Sequence, residues 1–163
     1  MILLGLGANL PSAAGPPIAT LEAALAQLEA SGVRIVARSR WFRTAPVPPS
    51  DQAWFVNAVA HLQASLAPMD LLALLHKVEH GFGRRRAARN EARSLDLDLL
   101  DYDGRVLDTP GLVLPHPRLH LRAFVLLPLR DVAPGWRHPV LGETVSELIA
   151  KLPDDQIAAP LAP

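Results

Sequence analysis

Leucines alternate with aspartates between residues 95 and 100. In an extended strand, residues two apart point to the same face. The alternation therefore predicts a strand that buries its leucines and presents Asp96 and Asp98 side by side on the opposite face. Two adjacent carboxylates repel each other unless a cation lies between them, and Mg²⁺ is a common solution for oxygen ligands. The residues leave two interpretations open: an edge strand with an acidic polar face, or a site for a divalent cation.

The composition indicates a single folded domain. The chain has 163 residues, half of them hydrophobic, and a formal net charge of zero. It is long enough to bury a sizeable core, and it lacks the excess positive charge of a general nucleic-acid-binding protein. The absence of cysteine excludes disulfides and thiolate metal sites. No segment has the pattern of a signal peptide or a membrane span. We expect a cytoplasmic monomer that binds neither nucleic acid nor membrane.

Arginines are concentrated just before the two-aspartate strand. Five of them fall within ten positions: Arg84, Arg85, Arg86, Arg89 and Arg93. Guanidinium groups bind phosphate oxygens bidentately, so a loop of this kind can close over a triphosphate. A solvated basic loop is the alternative.

Apolar periodicity and turn residues predict the other elements. We expect strands over residues 1–6, 33–39, 55–62 and 96–102, and helices over 18–31, 68–80, 119–132 (interrupted by a proline) and 144–151. Asp103-Gly104 predicts a hairpin whose return strand begins at Arg105. The order of elements favours an α+β fold, a ferredoxin-like antiparallel sheet with helices packed on one face and additional C-terminal elements. We expect residues 1–152 to form one domain and residues 153–163 a loose tail.

Five further positions draw attention. Gly5 and Gly7 lack the third glycine and the lysine of a phosphate-binding loop, so they predict a structural turn after the first strand. The amide of Asn57, in an apolar run, could pair with the edge of a lactam-like heterocycle or bond its own backbone at a bulge. His116 lies between two prolines, as a ligand-facing imidazole or an ordinary loop histidine. Glu79 is unfavourable at a helix C-terminus unless an arginine or a function compensates.

Together these segments resemble the 6-hydroxymethyl-7,8-dihydropterin pyrophosphokinase family of folate biosynthesis. The resemblance covers residues 1 to about 150. Its motifs are Arg93-x-Leu95-Asp96-Leu97-Asp98, Pro115-His116-Pro117, Arg122-x-Phe124-Val125-Leu126-x-Pro128-Leu129, Gly5-x-Gly7-Ala8-Asn9-Leu10, Arg43-Thr44-x-Pro46, Asp51-Gln52 and Phe55-Val56-Asn57-Ala58-Val59.

The resemblance implies an ATP-dependent diphosphokinase that transfers pyrophosphate from ATP to the hydroxymethyl group of the pterin and leaves AMP. It implies two Mg²⁺ ions held by Asp96 and Asp98. The catalytic set would be Asp96, Asp98, Arg84, Arg86 and Arg93. The pterin-binding set would be Thr44, Ala45, Val47, Phe55, Asn57 and Phe124. The ATP-binding set would be His76, Glu79, Arg84, Arg89, Arg93, Leu99, His116 and Arg122.

The segment just before the paired aspartates departs from the family pattern, and Val47-Pro48-Pro49 stands where the family commonly has a glycine. The family usually has Arg-Trp-Gly-Pro-Arg-Thr before the paired aspartates, where this chain has Arg89-Asn90-Glu91-Ala92-Arg93-Ser94. The departure motivates an alternative, a divergent, non-catalytic nucleotide- or pterin-binding module with an altered lid loop. A third hypothesis is an RNA-binding ferredoxin-like domain, which the neutral net charge disfavours.

Overall fold

The computed structural model describes residues 1–83 and 94–162. The strands are β1 (Ile2–Ala8), β2 (Arg34–Arg38), β3 (Phe42–Thr44), β4 (Phe55–Gln63), β5 (Asp96–Tyr102), β6 (Leu107–Thr109), β7 (Leu112–Leu114) and β8 (Ala158–Pro160). The α-helices are α1 (Pro17–Ala30), α2 (Pro68–Gly81), α3 (Ala123–Val132) and α4 (Val145–Ala150), and a 3₁₀ turn spans Leu119–Leu121. No helix in the described ranges is long and apolar enough to cross a membrane.

Six strands form one antiparallel sheet in the order β5-β1-β4-β3-β8, and β2 also pairs with β4. Because β2 and β3 pair with successive parts of β4, they act together as one interrupted strand. The first four strand positions then have the order 4-1-3-2, with α1 and α2 as the connecting helices. This is the ferredoxin-like arrangement, so the predicted α+β class is confirmed.

Helices cover both faces of the sheet. Leu4 and Leu6 of β1 point into a core that they share with α1 and α2. Leu3 points the other way, into a second core with α3 and α4. Leu3 and Leu4 are both fully buried, and burying a leucine contributes about 1.5–3 kcal/mol. The prediction of core helices on one face therefore holds for α1 and α2, and the additional C-terminal helices α3 and α4 form a third layer on the other face.

The turn after β5 has the predicted geometry but a different continuation. Asp103 and Gly104 both have positive φ angles, 54° and 71°, and the Arg105 N–H bonds the Tyr102 carbonyl at 3.0 Å. These are the features of a type I′ turn. However, the next strand, β6, pairs with β7 instead of returning along β5. The predicted hairpin is thus wrong in its partner, because Leu107 and Leu114 pair with each other while packing into the α1–α2 core.

Three other predictions differ from the structure. Gly5 and Gly7 lie inside β1, not in a turn after it. The helix expected over residues 119–132 is divided at Arg122, whose backbone is extended, and it continues through Pro128. The prediction of a loose tail is wrong for β8, which pairs with the outer edge of β3. Without this partner, the edge of β3 would leave a row of unpaired backbone groups. Strand β3 was not predicted, because three residues are too few to show a two-residue period.

Candidate active site

The middle of the sheet brings polar side chains and glycines together on one face. In the register of β1 with its two neighbours, Gly7 lies opposite Asp96 and Asn57, and Gly5 lies opposite Asp98. Directly opposed residues of antiparallel strands point to the same side of the sheet. The two glycines therefore leave a hollow between the aspartates of β5 and Asn57 of β4.

Gly7 is required by a close approach. A Cβ atom added there would lie 2.5 Å from Nδ2 of Asn57, which is well inside van der Waals contact. At Gly5, the nearest atoms to an added Cβ are those of Leu100, at an ordinary 3.5 Å. Glycine within a strand commonly marks a place where a ligand or another group comes close to the backbone. The sequence reading missed this role, although glycines two apart were the available signal.

The paired aspartates have the orientation that the alternation predicts. Asp96 and Asp98 are half-buried on the cleft face, while Leu95, Leu97 and Leu99 are buried in the α1–α2 core. This places the side chain of Leu99, an expected ATP-binding residue, on the face away from the cleft.

The hollow is a cleft with one aromatic wall. Counted with the solvent at its mouth, its volume is about 260 Å³. Phe124 and Val125 of α3 face the strands across it. Its lining residues are Gly5, Leu6, Gly7, Asn57, Ala58, Asp96, Asp98, Leu100, Phe124 and Val125.

Asn57 is held by two hydrogen bonds. The Thr44 hydroxyl donates to its Oδ1 at 2.6 Å, and its Nδ2 donates to the Leu6 carbonyl at 3.3 Å. Both Asn57 and Thr44 are buried. The described bonds are therefore to neighbouring strands and not to its own backbone. Phe55, two residues before Asn57 on β4, shares its face of the sheet and is half-buried.

The loop between β3 and β4 is tied down at both ends. The Ala45 N–H donates to the Ile157 carbonyl at 3.0 Å. At the other end, Nδ2 of Asn9 donates to Oε1 of Gln52 and to the Ala53 carbonyl, both at 2.9 Å. Val47 lies between these ties and is exposed.

His116 is a neutral imidazole in this fold. Its Nδ1 accepts a hydrogen bond from the Arg118 backbone N–H at 3.1 Å, so the proton of the neutral ring is on Nε2. Burial lowers the pKa of His116 to about 4, with Arg122 and Arg118 adding to the shift and Asp96 opposing it. The Arg122 guanidinium itself lies 5.2 Å from the centre of the Phe124 ring. His116 and Arg122 are therefore close to Asp96 and Phe124, two residues that line the cleft.

Glu79 has a structural contact. Its side chain is 1% exposed, and Oε2 accepts the Leu97 N–H at 2.8 Å, which joins the end of α2 to β5. His76, another expected ATP-binding residue, is exposed on α2. The remaining expected site residues, Arg84, Arg86, Arg89 and Arg93, lie outside the described residues, as do Asn90, Glu91 and Ala92.

The donor set suits a magnesium ion shared with a substrate. Within residues 1–83 and 94–162, no group of three or more His, Asp or Glu side chains is arranged to hold a metal alone. Mg²⁺ usually binds through one or two carboxylates, with water and substrate phosphates completing its shell. Asp96 and Asp98 on one strand face therefore fit an ion that arrives with a phosphorylated ligand.

The fold and the cleft define the class of protein: an α+β enzyme with a small-molecule site. A protein-family model described as 7,8-dihydro-6-hydroxymethylpterin-pyrophosphokinase (HPPK) matches residues 3–134, and the chain belongs to this family of ATP-dependent transferases.

Proteins of similar sequence carry the name of the same enzyme family. The chain is 42% identical over 150 residues to 2-amino-4-hydroxy-6-hydroxymethyldihydropteridine pyrophosphokinase of Methylorubrum extorquens, covering 91% of each chain. Its identity to the protein of the same name from Pseudomonas aeruginosa is 41%, covering 96% of this chain and 94% of that one. The Synechocystis protein is 37% identical, over 99% of this chain and 80% of its own.

Among solved structures, Plasmodium falciparum HPPK-DHPS superposes with a TM-score of 0.72 at 15% identity. The match covers 92% of this chain and 44% of that one, so the chain spans less than half of the Plasmodium protein. At this identity the likeness supports the fold alone.

Proposed function

We propose that this chain transfers the pyrophosphoryl group of ATP to 6-hydroxymethyl-7,8-dihydropterin, giving AMP and the pterin diphosphate, in folate biosynthesis. The observation that carries the proposal is the placement of Asp96 and Asp98 beside a glycine floor, opposite Phe124. The catalytic domain would comprise residues 1–152 together with β8, which closes one edge of its sheet, and it would act as a cytoplasmic monomer.

The aromatic and amide side chains of the cleft would bind the pterin. A flat heterocycle can stack on Phe124, with Phe55 as the second aromatic face. Asn57 would read the edge of the ring, and its bonds to Thr44 and Leu6 hold the amide in place before the ligand arrives. Because the Ala45 N–H is already bonded, Ala45 would contribute its carbonyl to the pterin. Exposed Val47 would cover the ligand from the loop.

We assign the carboxylates of Asp96 and Asp98 to two Mg²⁺ ions that enter with ATP. When bound, these ions supply charge neutralisation to the phosphates and lower the pKa of the attacking hydroxyl. The donor set supports this assignment because two carboxylates need substrate oxygens to complete each shell.

In the transfer, the hydroxymethyl oxygen forms a bond to the β-phosphorus of ATP. The bond between that phosphorus and the oxygen bridging to the α-phosphorus breaks, and AMP leaves with the electron pair. We assign the hydroxyl proton to the carboxylate of Asp96. Such reactions need positioning and neutralised oxygens more than covalent help.

The remaining groups would bind the triphosphate. Neutral His116 would donate its Nε2–H, and Arg122 would add positive charge beside it. Arg84, Arg86, Arg89 and Arg93 would neutralise the phosphates from the segment before β5. We assign His76, Glu79 and the backbone of Leu99 to the nucleotide, with Glu79 also supporting β5 through Leu97.

The test is AMP formation. Pure protein is incubated with ATP, Mg²⁺ and 6-hydroxymethyl-7,8-dihydropterin, and the nucleotides are separated by chromatography. We expect AMP to appear in proportion to the pterin and not without it. ATP that stays intact would overturn the proposal. If calorimetry then showed that ATP or pterin still binds, the chain would be the non-catalytic binding module.

A further inference from the structure

Arg122 occupies a position that local helix rules disfavour. It is the N-cap of α3, with extended backbone angles (φ −123°, ψ 115°) and no side-chain hydrogen bond to the helix. An N-cap side chain normally accepts a first-turn N–H, which arginine cannot do because it has no acceptor atom. A positive charge also opposes the helix dipole at this end. Departures of this kind occur where function requires a residue and another group compensates.

The compensating group is Gln156, 33 residues after Ala123 in the chain. Its Oε1 accepts the Ala123 N–H at 2.8 Å, and its Nε2 donates to the Leu121 carbonyl at 2.9 Å. One amide side chain therefore holds the peptide groups on both sides of Arg122. Gln156 supplies the cap that the local sequence of α3 lacks.

The segment that follows Gln156 reaches the other residues of the site. We call residues 156–161 the C-terminal strap. The Ile157 carbonyl accepts the Ala45 N–H, and β8 pairs with β3 as far as Thr44. The strap thus joins the start of α3 to the strand whose threonine holds Asn57.

We propose that Gln156 is a positioning residue for the pterin site. Its amide fixes the main chain around Arg122, and this holds Phe124 against the cleft. The inference rests on the proposed function. Gln156 does not touch the substrate; it acts through the backbone that carries Phe124 and Arg122.

The first test is equilibrium binding of 6-hydroxymethyl-7,8-dihydropterin, followed by its fluorescence, to the full chain carrying Gln156→Met. Methionine has a similar length and removes both hydrogen bonds. Because both hydrogen bonds that hold the backbone beside Phe124 are lost, we expect Kd to rise about fivefold to tenfold. Gln27→Met, at an exposed position of α1 on the other side of the sheet, is the matched control and should leave Kd unchanged. An unchanged Kd in folded Gln156→Met would overturn the proposal.

Two further variants separate positioning from general stability. Gln156→Glu keeps an acceptor for the Ala123 N–H but loses the donor to the Leu121 carbonyl, so it should recover part of the lost affinity, whereas a loss equal to that of Gln156→Met would contradict the role of the Ala123 bond. In a Phe124→Ala background, Gln156→Met should add little, because residues that act through one contact are not additive. A full additional loss of affinity there would count against the proposal.

Hydrogen exchange keeps this test independent of the proposed function. We expect the Ala123 amide to exchange at least about tenfold faster in Gln156→Met than in the wild-type chain, because the hydrogen bond that protects this amide in the wild type is absent from the variant. Unchanged exchange would refute the positioning role. Failure of the wild-type chain to bind pterin would instead refute the proposed function, and exchange would still decide whether Gln156 holds the backbone.

Discussion

Single residues in this cleft depart from the rules that hold in the rest of the sheet. Gly5 and Gly7 weaken a strand interior, where a side chain would normally pack. Asn57 and Thr44 place polar groups in a buried region, and their side chains form a hydrogen bond with each other. The departures are concentrated where a ligand has to approach the backbone.

Asp98→Ala tests the assignment of the carboxylate pair. A metal-held triphosphate gains several kcal/mol of charge stabilisation, so we expect AMP formation to fall by about a hundredfold or more. The fold should survive, since Asp98 is half-buried and belongs to neither apolar core. Asp108→Ala removes the same charge from an exposed position on β6 and should keep full activity. Near-normal AMP production by Asp98→Ala would contradict the assignment.

Gly7→Ala tests the floor of the cleft. The added Cβ would meet Nδ2 of Asn57 at 2.5 Å, so the amide has to move and lose its bonds to Thr44 and Leu6. We expect pterin affinity to fall about tenfold, as buried hydrogen bonds contribute about 1 kcal/mol each. Gly81→Ala, at a helix end with open space around it, should bind pterin normally. If Gly7→Ala and Gly81→Ala bind pterin with equal affinity, the proposed role of Gly7 in leaving room for Asn57 is contradicted.

At the scale of elements, the end of α2 and the edge strand β5 depend on each other. The Leu97 N–H of β5 is satisfied by the Glu79 carboxylate of α2 rather than by another strand. This contact gives a structural reason for an acid at a helix C-terminus, where the dipole disfavours it. It also keeps the strand that carries both aspartates in register with the helix before the arginine segment.

Glu79→Ala should therefore destabilise the protein even without ligands. Removing the carboxylate leaves the buried Leu97 N–H without this acceptor, which costs about 1–3 kcal/mol. Glu79→Gln retains an acceptor oxygen and should lose less. The measurement is the free energy of unfolding in urea for the wild type and both variants. If Glu79→Ala is as stable as the wild type, the residue serves the nucleotide alone.

For the whole molecule, buried histidines make stability depend on pH. Burial lowers the pKa of His138, His120 lowers it further, and Asp101 and Glu143 oppose the shift. Burial also lowers the pKa of His116 and of His61. Below the ordinary histidine pKa of about 6.5, the unfolded chain binds more protons than the folded chain. The free energy of unfolding should thus decrease as pH falls from 6.5 towards 4.

His138→Asn tests this origin of the pH dependence. In the wild type, Nδ1 of His138 accepts the N–H groups of Val140 and Leu141 at 3.1 and 3.0 Å. An asparagine oxygen can accept an N–H two residues on and does not titrate. We expect urea unfolding at pH 7.5 and pH 5 to show a smaller loss of stability for the variant than for the wild type. If the wild type and His138→Asn lose the same free energy of unfolding, groups other than His138 cause the pH dependence.

The elements with a clear local period were predictable from the chain. Helices α1 and α2, the strands β1, β4 and β5, and the orientation of Asp96 and Asp98 follow from side-chain alternation within one segment. Elements whose existence depends on a distant partner were not. β3 and β8 are three residues each; β3 is a strand because it pairs with β4, and β8 because it pairs with β3. The partner of β6 was mistaken because Leu107 and Leu114 pack together into the α1–α2 core, which depends on residues far away in the chain.

The sequence by itself determined the class of fold, the paired carboxylates and the family resemblance, because each depends on residue types at short, regular spacings. Only the tertiary structure decided that Gly7 makes room for Asn57, that Glu79 supports β5, and that Gln156 caps the helix behind Arg122. Each of these contacts joins residues far apart in the chain. They depend on strand register and on how the layers pack, which no local pattern specifies.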